Sequence, residues 1–205
     1  MSDYGTLQAR IADELNRTTL TAQIKTAILS SLDYYKRQSF RFNQTRATTT
    51  LVASQEYYGL PSDFIEMDTA VLVDGTSKIL MEERSHYWID DHLHSTDYTG
   101  RPYVLAVQAD QFRVYPAPDS GSYSVILTYT RELTTPSAST DSTAWFTDGE
   151  ELIRLRAKGD LLANIIRGPE AFQEAQFLRA REEEVLRGLR IAYKRSISSG
   201  KIVAA

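Results

Sequence analysis

Hydrophobic residues recur every three or four positions at both ends of this 205-residue chain, while the middle alternates apolar and polar residues around short turns. A helix repeats its buried face every 3.6 residues and a strand every second residue, so the two patterns call for different elements. Helices from the two ends must then pack together, because neither pair can bury its apolar stripe alone. The expected fold class is α+β. N- and C-terminal helix pairs form a four-helix bundle-like α domain, residues 1–46 and 147–195, around an inserted antiparallel β-domain, residues 47–146.

At the N-terminal end, Leu7, Ile11 and Leu15 are spaced by four, with Thr6 as the expected N-cap. A second helix is expected from about Thr21 to Ser39, with Ile24, Ile28, Leu32 and Tyr35 on one face and Lys25, Asp33, Lys36 and Arg37 on the other. After "FRFN" the residues turn β-branched: "TRATTTLVAS" suits strands better than helices. Asp74-Gly75 signals a two-residue hairpin, and "YVLAVQADQFRVYPAP" and "GSYSVILTYTRE" read as half-buried antiparallel strands. "TTPSASTDSTAW" reads as a polar loop.

Helical punctuation then returns. Asp148 with Glu151 three residues on resembles a capping box, and Gly168-Pro169 closes one helix and opens the next. The last helix is expected to run to Arg195, with Ala171, Leu178, Val185 and Ala192 seven apart and Ala175 and Leu189 filling the same stripe. "REEE", residues 181–184, reads as a solvated face with intrahelical ion pairs. The final ten residues, 196–205, have neither periodicity nor caps and are expected to form an extended arm.

Charge is unevenly placed within the net −4 of the chain. Residues 1–46 carry seven basic and four acidic side chains, residues 47–146 carry five and fourteen, and residues 147–195 carry ten and nine. An acidic middle segment argues against sequence-reading contacts with nucleic acid, which need clustered Lys and Arg. No apolar run approaches the ~20 residues a membrane span needs, and "MSDYGTLQAR" lacks the pattern of a secretion signal. With no cysteine, neither disulfides nor thiolate metal sites are available.

All three histidines, His86, His92 and His94, fall in "SHYWIDDHLHSTDY" together with Asp90 and Asp91. Two histidines two apart converge only on a strand, and this segment lacks a strand's alternating apolar partners, so it reads as a polar loop or short irregular helix. A metal-dependent hydrolase using His86, His92, His94 and Asp90 is the competing reading; the expectation is no metal and no cofactor. No G-x-S-x-G, P-loop or Rossmann glycine fingerprint occurs in the chain. Its twelve tyrosines lie mostly in or beside expected strands, with acidic rather than basic neighbours, which fits strand and core roles better than base stacking.

Four features in order resemble the head-to-tail adaptors of tailed phages, the tail tubular protein A family of short-tailed phages. They are the opening helix pair "TLQARIADELNRTTLTAQIKTAILSSLDYYKRQSF", the exit "FRFN" at Phe40 to Asn43, the entry "GLPSDF" at Gly59 to Phe64, and the closing hairpin "ELIRLRAKGDLLANIIRGPEAFQEAQFLRAREEEVLRGLR". The resemblance implies a structural virion protein without catalysis, made in the host cytoplasm and sited at the head-tail junction. It implies a ring, dodecameric like the portal above it, that extends the DNA channel without reading sequence and meets a tail nozzle or tube. A neck or tail-completion protein of a long-tailed phage has the same physics. By the resemblance, residues 196–205 are a portal-reaching arm carrying Ile197, Lys201, Ile202 and Val203. The charged face with Arg179, Arg181, Glu182, Glu183 and Arg187 is then available for contacts between subunits.

Overall fold

The computed structural model describes residues 2–92 and 98–198. It is an α+β protein whose described residues divide into two compact units. One contains the chain up to Asn43 and again from Glu132; the other is Gln44–Arg131.

The helical unit begins with α1, Tyr4–Glu14. Its cap is Asp3 rather than Thr6: the Asp3 carboxylate accepts the Thr6 N–H at 2.7 Å, so the helix starts two residues before the expected cap. Those bonds hold the Asp3 carboxyl below its usual range, because they favour the charged form. Helix α2, Thr21–Tyr35, stops short of the expected Ser39. A 3₁₀ turn at Arg41–Asn43 follows, closed by the buried Asn43: its side-chain carbonyl accepts the Phe40 N–H at 2.8 Å and its amide donates to the Gln38 carbonyl at 2.9 Å. "FRFN" is thus a hydrogen-bonded exit that turns Phe40 into the core. There Phe40 stacks on Phe42 at 5.1 Å, and both rings meet Trp145 edge-on.

Trp145 lies on a short helix, α4 (Ala144–Thr147), so the polar stretch before it ends in core rather than loop: Trp145 and Phe146 are both buried. The expected capping box does not form. Helix α5, Glu150–Leu161, starts on Gly149 with no side-chain cap, and Asp148 instead accepts the Thr147 hydroxyl at 2.7 Å. Glycine is needed there for space: a Cβ at 149 would sit 3.1 Å from the Trp145 ring and 3.3 Å from Phe42. α5 continues as a π-helix over Leu162–Ile166 and exits through Arg167 (φ 55°) and Gly168 (φ 111°). A non-glycine residue in that conformation costs about 1–3 kcal/mol and must be held by its surroundings. The Arg167 side chain holds itself there by donating to the Asn164 carbonyl at 2.8 Å.

Pro169 opens α6, Pro169–Ser198, a 30-residue helix about 45 Å long. Ala171, Ala175 and Leu178 are buried against Leu155 and Leu162, and Val185 and Leu189 are half-buried. Ala192, expected on the same seam, is exposed. α6 is much longer than α5 with its π turn, so its last turns run past the end of that partner. Ser196 and Ile197, expected in an extended arm, belong to the helix, while Lys201, Ile202 and Val203 lie outside the described residues. Fully buried Leu7, Ile11, Ile28 and Ile153 tie α1, α2 and α5 into one core, each contributing about 1.5–3 kcal/mol.

The second unit holds two four-stranded sheets. The first runs β1 (Gln44–Thr50), β10 (Ser124–Arg131), β3 (Phe64–Asp74), β4 (Ser77–Leu80), antiparallel throughout. The hairpin at Asp74-Gly75 forms one residue later than its sequence signal: Asp74 pairs with Ser77, leaving Gly75 (φ 57°) and Thr76 in the turn. The second sheet runs β2 (Tyr57–Gly59), β8 (Gln111–Tyr115), β7 (Val104–Gln108), β5 (Glu82–Glu83). Two short parallel pairs depart from the antiparallel expectation, β5 with β7 and β6 (Thr99–Gly100) with β9 (Ala117–Pro118). Leu72, Val125 and Leu127 of the first sheet share a core with Leu105, Phe112 and Val114 of the second. Both sheets thus put their apolar alternation on one side.

Candidate functional site

Chemistry centred on the histidines would need them to converge. Residues His86–His92 form a helix, α3, of seven residues. Its period places Asp90 one turn from His86, whose Nε2 is 3.6 Å from the Asp90 carboxylate. His92 instead stacks on Trp88 with ring centres 3.9 Å apart, and its Nδ1 lies 2.9 Å from the Trp88 carbonyl. His94 lies outside the described residues. Among the described residues no three acidic or histidine side chains come together to hold an ion. His86 and His92 are therefore not convergent ligands: six positions apart on a helix, each takes its own neighbour.

α3 is held by burial and by one ion pair. Ile89 is fully buried, and Asp90 accepts from Arg113 Nη1 at 2.5 Å. Arg113 of β8 is itself buried, donates its Nε to Glu56 at 2.7 Å, and lies over the Tyr57 ring at 5.2 Å. That bond to Arg113 holds the Asp90 carboxyl below its usual range. One arginine thus fastens the short helix to the sheet.

The charged row on α6 splits. Arg179, Arg181, Glu183 and Arg187 are exposed, and Arg181 donates to Glu184 at 2.7 Å and reaches Glu151 at 3.4 Å. Glu182 is the correction: only 8% exposed, it accepts from the Tyr35 hydroxyl and from Arg156 Nη1 at 3.0 Å. It falls four residues after Leu178 and three before Val185, on the buried stripe itself, so the helical period that placed the seam also turns this carboxylate inward. Burial pushes the Tyr35 phenol well above its ordinary value, and the bond to Glu182 adds to it.

A second ion cluster surrounds Glu14. Its carboxylate takes Arg154 at 2.8 Å and Lys158 at 3.2 Å, tying α1 to α5. Burial alone would raise its pKa, but the two cations outweigh burial and hold it low. These clusters tie helices of one unit together.

The remaining features are surfaces. On α6, Phe177 is 72% exposed and Phe172 and Ile191 are also open, on faces away from the buried stripe. The spacing that set the seam already excludes Phe177 from it, which is the signal a reading centred on histidines passes over. On the outward side of α2 lies a cavity of about 430 Å³, lined by Leu29, Leu32, Asp33, Lys36, Leu133 and Trp145 among others. No described helix is long and apolar enough to cross a membrane.

Comparison with known proteins gives one result. A family model described as SU10 adaptor protein matches residues 2–199, and a search of curated proteins finds no match. The match runs through the opening helices, the inserted sheets and the closing hairpin alike. By that match, which covers nearly all of its length, the chain belongs to the SU10 adaptor protein family and is a structural adaptor protein of a phage.

Proposed function

We propose that this chain assembles as a ring at the head-tail junction, between the portal and the tail nozzle or tube, and that DNA passes through the ring without sequence recognition. The observation that carries the reading is the family match across residues 2–199, which takes in both compact units. Arg179, Arg181, Glu183 and Arg187 supply charged contacts between neighbours, while Glu182 is committed within its own chain. A ring requires heterologous contacts that close, and exposed groups of both signs on one long helix suit them. A net charge of −4 suits a conduit, because each neutralised phosphate would add affinity and drag. The segment from Ser196 onward, with Ile197, Lys201, Ile202 and Val203, reaches the portal.

The test is a mass measurement of the purified chain alone and mixed with portal rings. A defined ring-sized complex on the portal supports the reading. A chain that stays monomeric and leaves the portal unoccupied overturns it.

A further inference from the structure

The helical unit carries two unpartnered features on different helices. One is the Phe177 side chain, projecting from the outward face of α6. The other is the cavity on the outward face of α2, whose floor is Leu32, Leu133 and Trp145 and whose rim carries Leu29, itself 37% exposed. Helix α5 packs against both α2 and α6.

Their surroundings match by sign and spacing. Behind Phe177 come Arg181 four residues on and Glu184 seven residues on, joined by an ion pair of 2.7 Å. Behind Leu29 come Asp33 four residues on and Lys36 seven residues on, also joined at 2.7 Å. With the two helices parallel and Phe177 set against Leu29, Arg181 meets Asp33, Glu184 meets Lys36, and the small Ala180 meets Leu32. Each exposed pair contributes little where it is, so exchanging partners across a contact costs little and gains two shielded pairs. An aromatic ring in an apolar pocket rimmed by charge is the usual form of an interface hot spot.

We propose that Phe177 of one copy seats in the cavity beside Leu29 of the next, with α6 of the first lying parallel to α2 of the second. This inference rests on the ring reading above and names the contact that builds the ring. The surfaces it joins differ, so the contact is heterologous and propagates from copy to copy.

The chain has no cysteine, so introduced thiols report only the contact they probe. Full-length Phe177→Cys is mixed with full-length Leu29→Cys under mild oxidation, with Phe172→Cys replacing Phe177→Cys as the control, and covalent dimers are separated on a denaturing gel. The expected result is a mixed disulfide at least tenfold above the control. Asp33→Arg in the Leu29→Cys chain should abolish the mixed disulfide, and adding Arg181→Asp to the Phe177→Cys chain should restore it. Dimers formed by Phe177→Cys alone would put two α6 helices face to face and overturn the proposal. An oligomeric wild-type chain without the mixed disulfide overturns this contact and leaves the ring standing. A wild-type chain that stays monomeric even with portal present overturns the ring and this contact together.

Discussion

Tyr35 near the end of α2 donates its hydroxyl to Glu182 in the middle of α6, 147 positions later, and Arg156 of α5 donates to the same carboxylate. Three helices from the two ends of the chain thus meet on one buried charge. Removing the phenol with Tyr35→Phe leaves that charge with fewer partners and should lower stability by about 1–3 kcal/mol. Glu182→Leu strands Arg156 and Tyr35 together and should cost about 3–5 kcal/mol. Urea unfolding monitored by tryptophan fluorescence measures both; equal midpoints for Tyr35→Phe and wild type would show that the bond contributes nothing.

Opposite pH responses are expected from two carboxyls of the helical unit. Glu14 is held below its ordinary value of 4.5, since Arg154 and Lys158 outweigh its burial. Its contribution is complete above that value and is lost as pH falls through the lower, folded value. Asp160 is raised above its ordinary 3.8, chiefly by burial, with Glu182 adding to it. Its ionised form opposes folding above the folded value, so lowering the pH toward 3.8 relieves that penalty. Glu14→Gln should therefore lose stability at neutral pH and unfold less steeply in acid, whereas Asp160→Asn should gain stability at neutral pH. Unfolding midpoints from pH 3 to 8 separate the two; matching profiles would refute the assignment.

Two glycines should answer the same substitution with opposite signs. A Cβ at Gly149 meets Trp145 at 3.1 Å and Phe42 at 3.3 Å, both in the aromatic core, so Gly149→Ala should cost about 1–3 kcal/mol through displaced packing. Gly188 lies within α6 with nothing inside 4 Å of the added atom. There alanine should gain up to about 1 kcal/mol from helix propensity. Thermal melts of the two variants decide it, and destabilisation at both positions would mean α6 is more crowded near Gly188 than its geometry indicates.

Much of the fold was legible because it is written in period. Leu7, Ile11, Ile24 and Ile28 recur at helical spacing and are buried, and Gly168-Pro169 marks the hairpin between α5 and α6. What periodicity leaves open is set by tertiary partners. Asn43 closes its turn through two bonds that no local pattern announces, and Trp145 enters the core from a polar stretch because Phe40 and Phe42 receive it. Glu182 was misread by its chemistry, since a carboxylate among charged neighbours looks solvated even where the helical stripe turns it inward. The histidine segment reads in sequence as a polar loop or short irregular helix, whereas His86–His92 is a regular α-helix whose attachment through Arg113, 23 residues from Asp90, no local pattern announces.

That attachment can be tested by itself. Arg113→Met keeps the apolar stem but leaves Asp90 and Glu56 without their shared partner. The variant should lose hydrogen-exchange protection across His86–His92, by about tenfold or more, and the sheet unit should become less stable. Protection in α1 and α2 should be unchanged. Full protection of α3 in the variant would show that Ile89 alone holds the helix in place.

The C-terminal end separates folding from attachment. α6 is helical to Ser198, and Val185, Leu186 and Leu189 are the residues of its second half that pack against the described helical core. A chain ending at Ser198 should therefore unfold at the wild-type urea concentration while losing at least tenfold in affinity for portal rings, because Lys201, Ile202 and Val203 are gone. Ile197→Asp in the full chain probes the remaining residue of the proposed arm, where a charge in place of an apolar side chain should weaken portal binding without shifting the unfolding midpoint. Co-sedimentation with portal rings measures both variants, and undiminished binding by the truncated chain would move the portal contact from the C-terminal segment to the body of the helical unit.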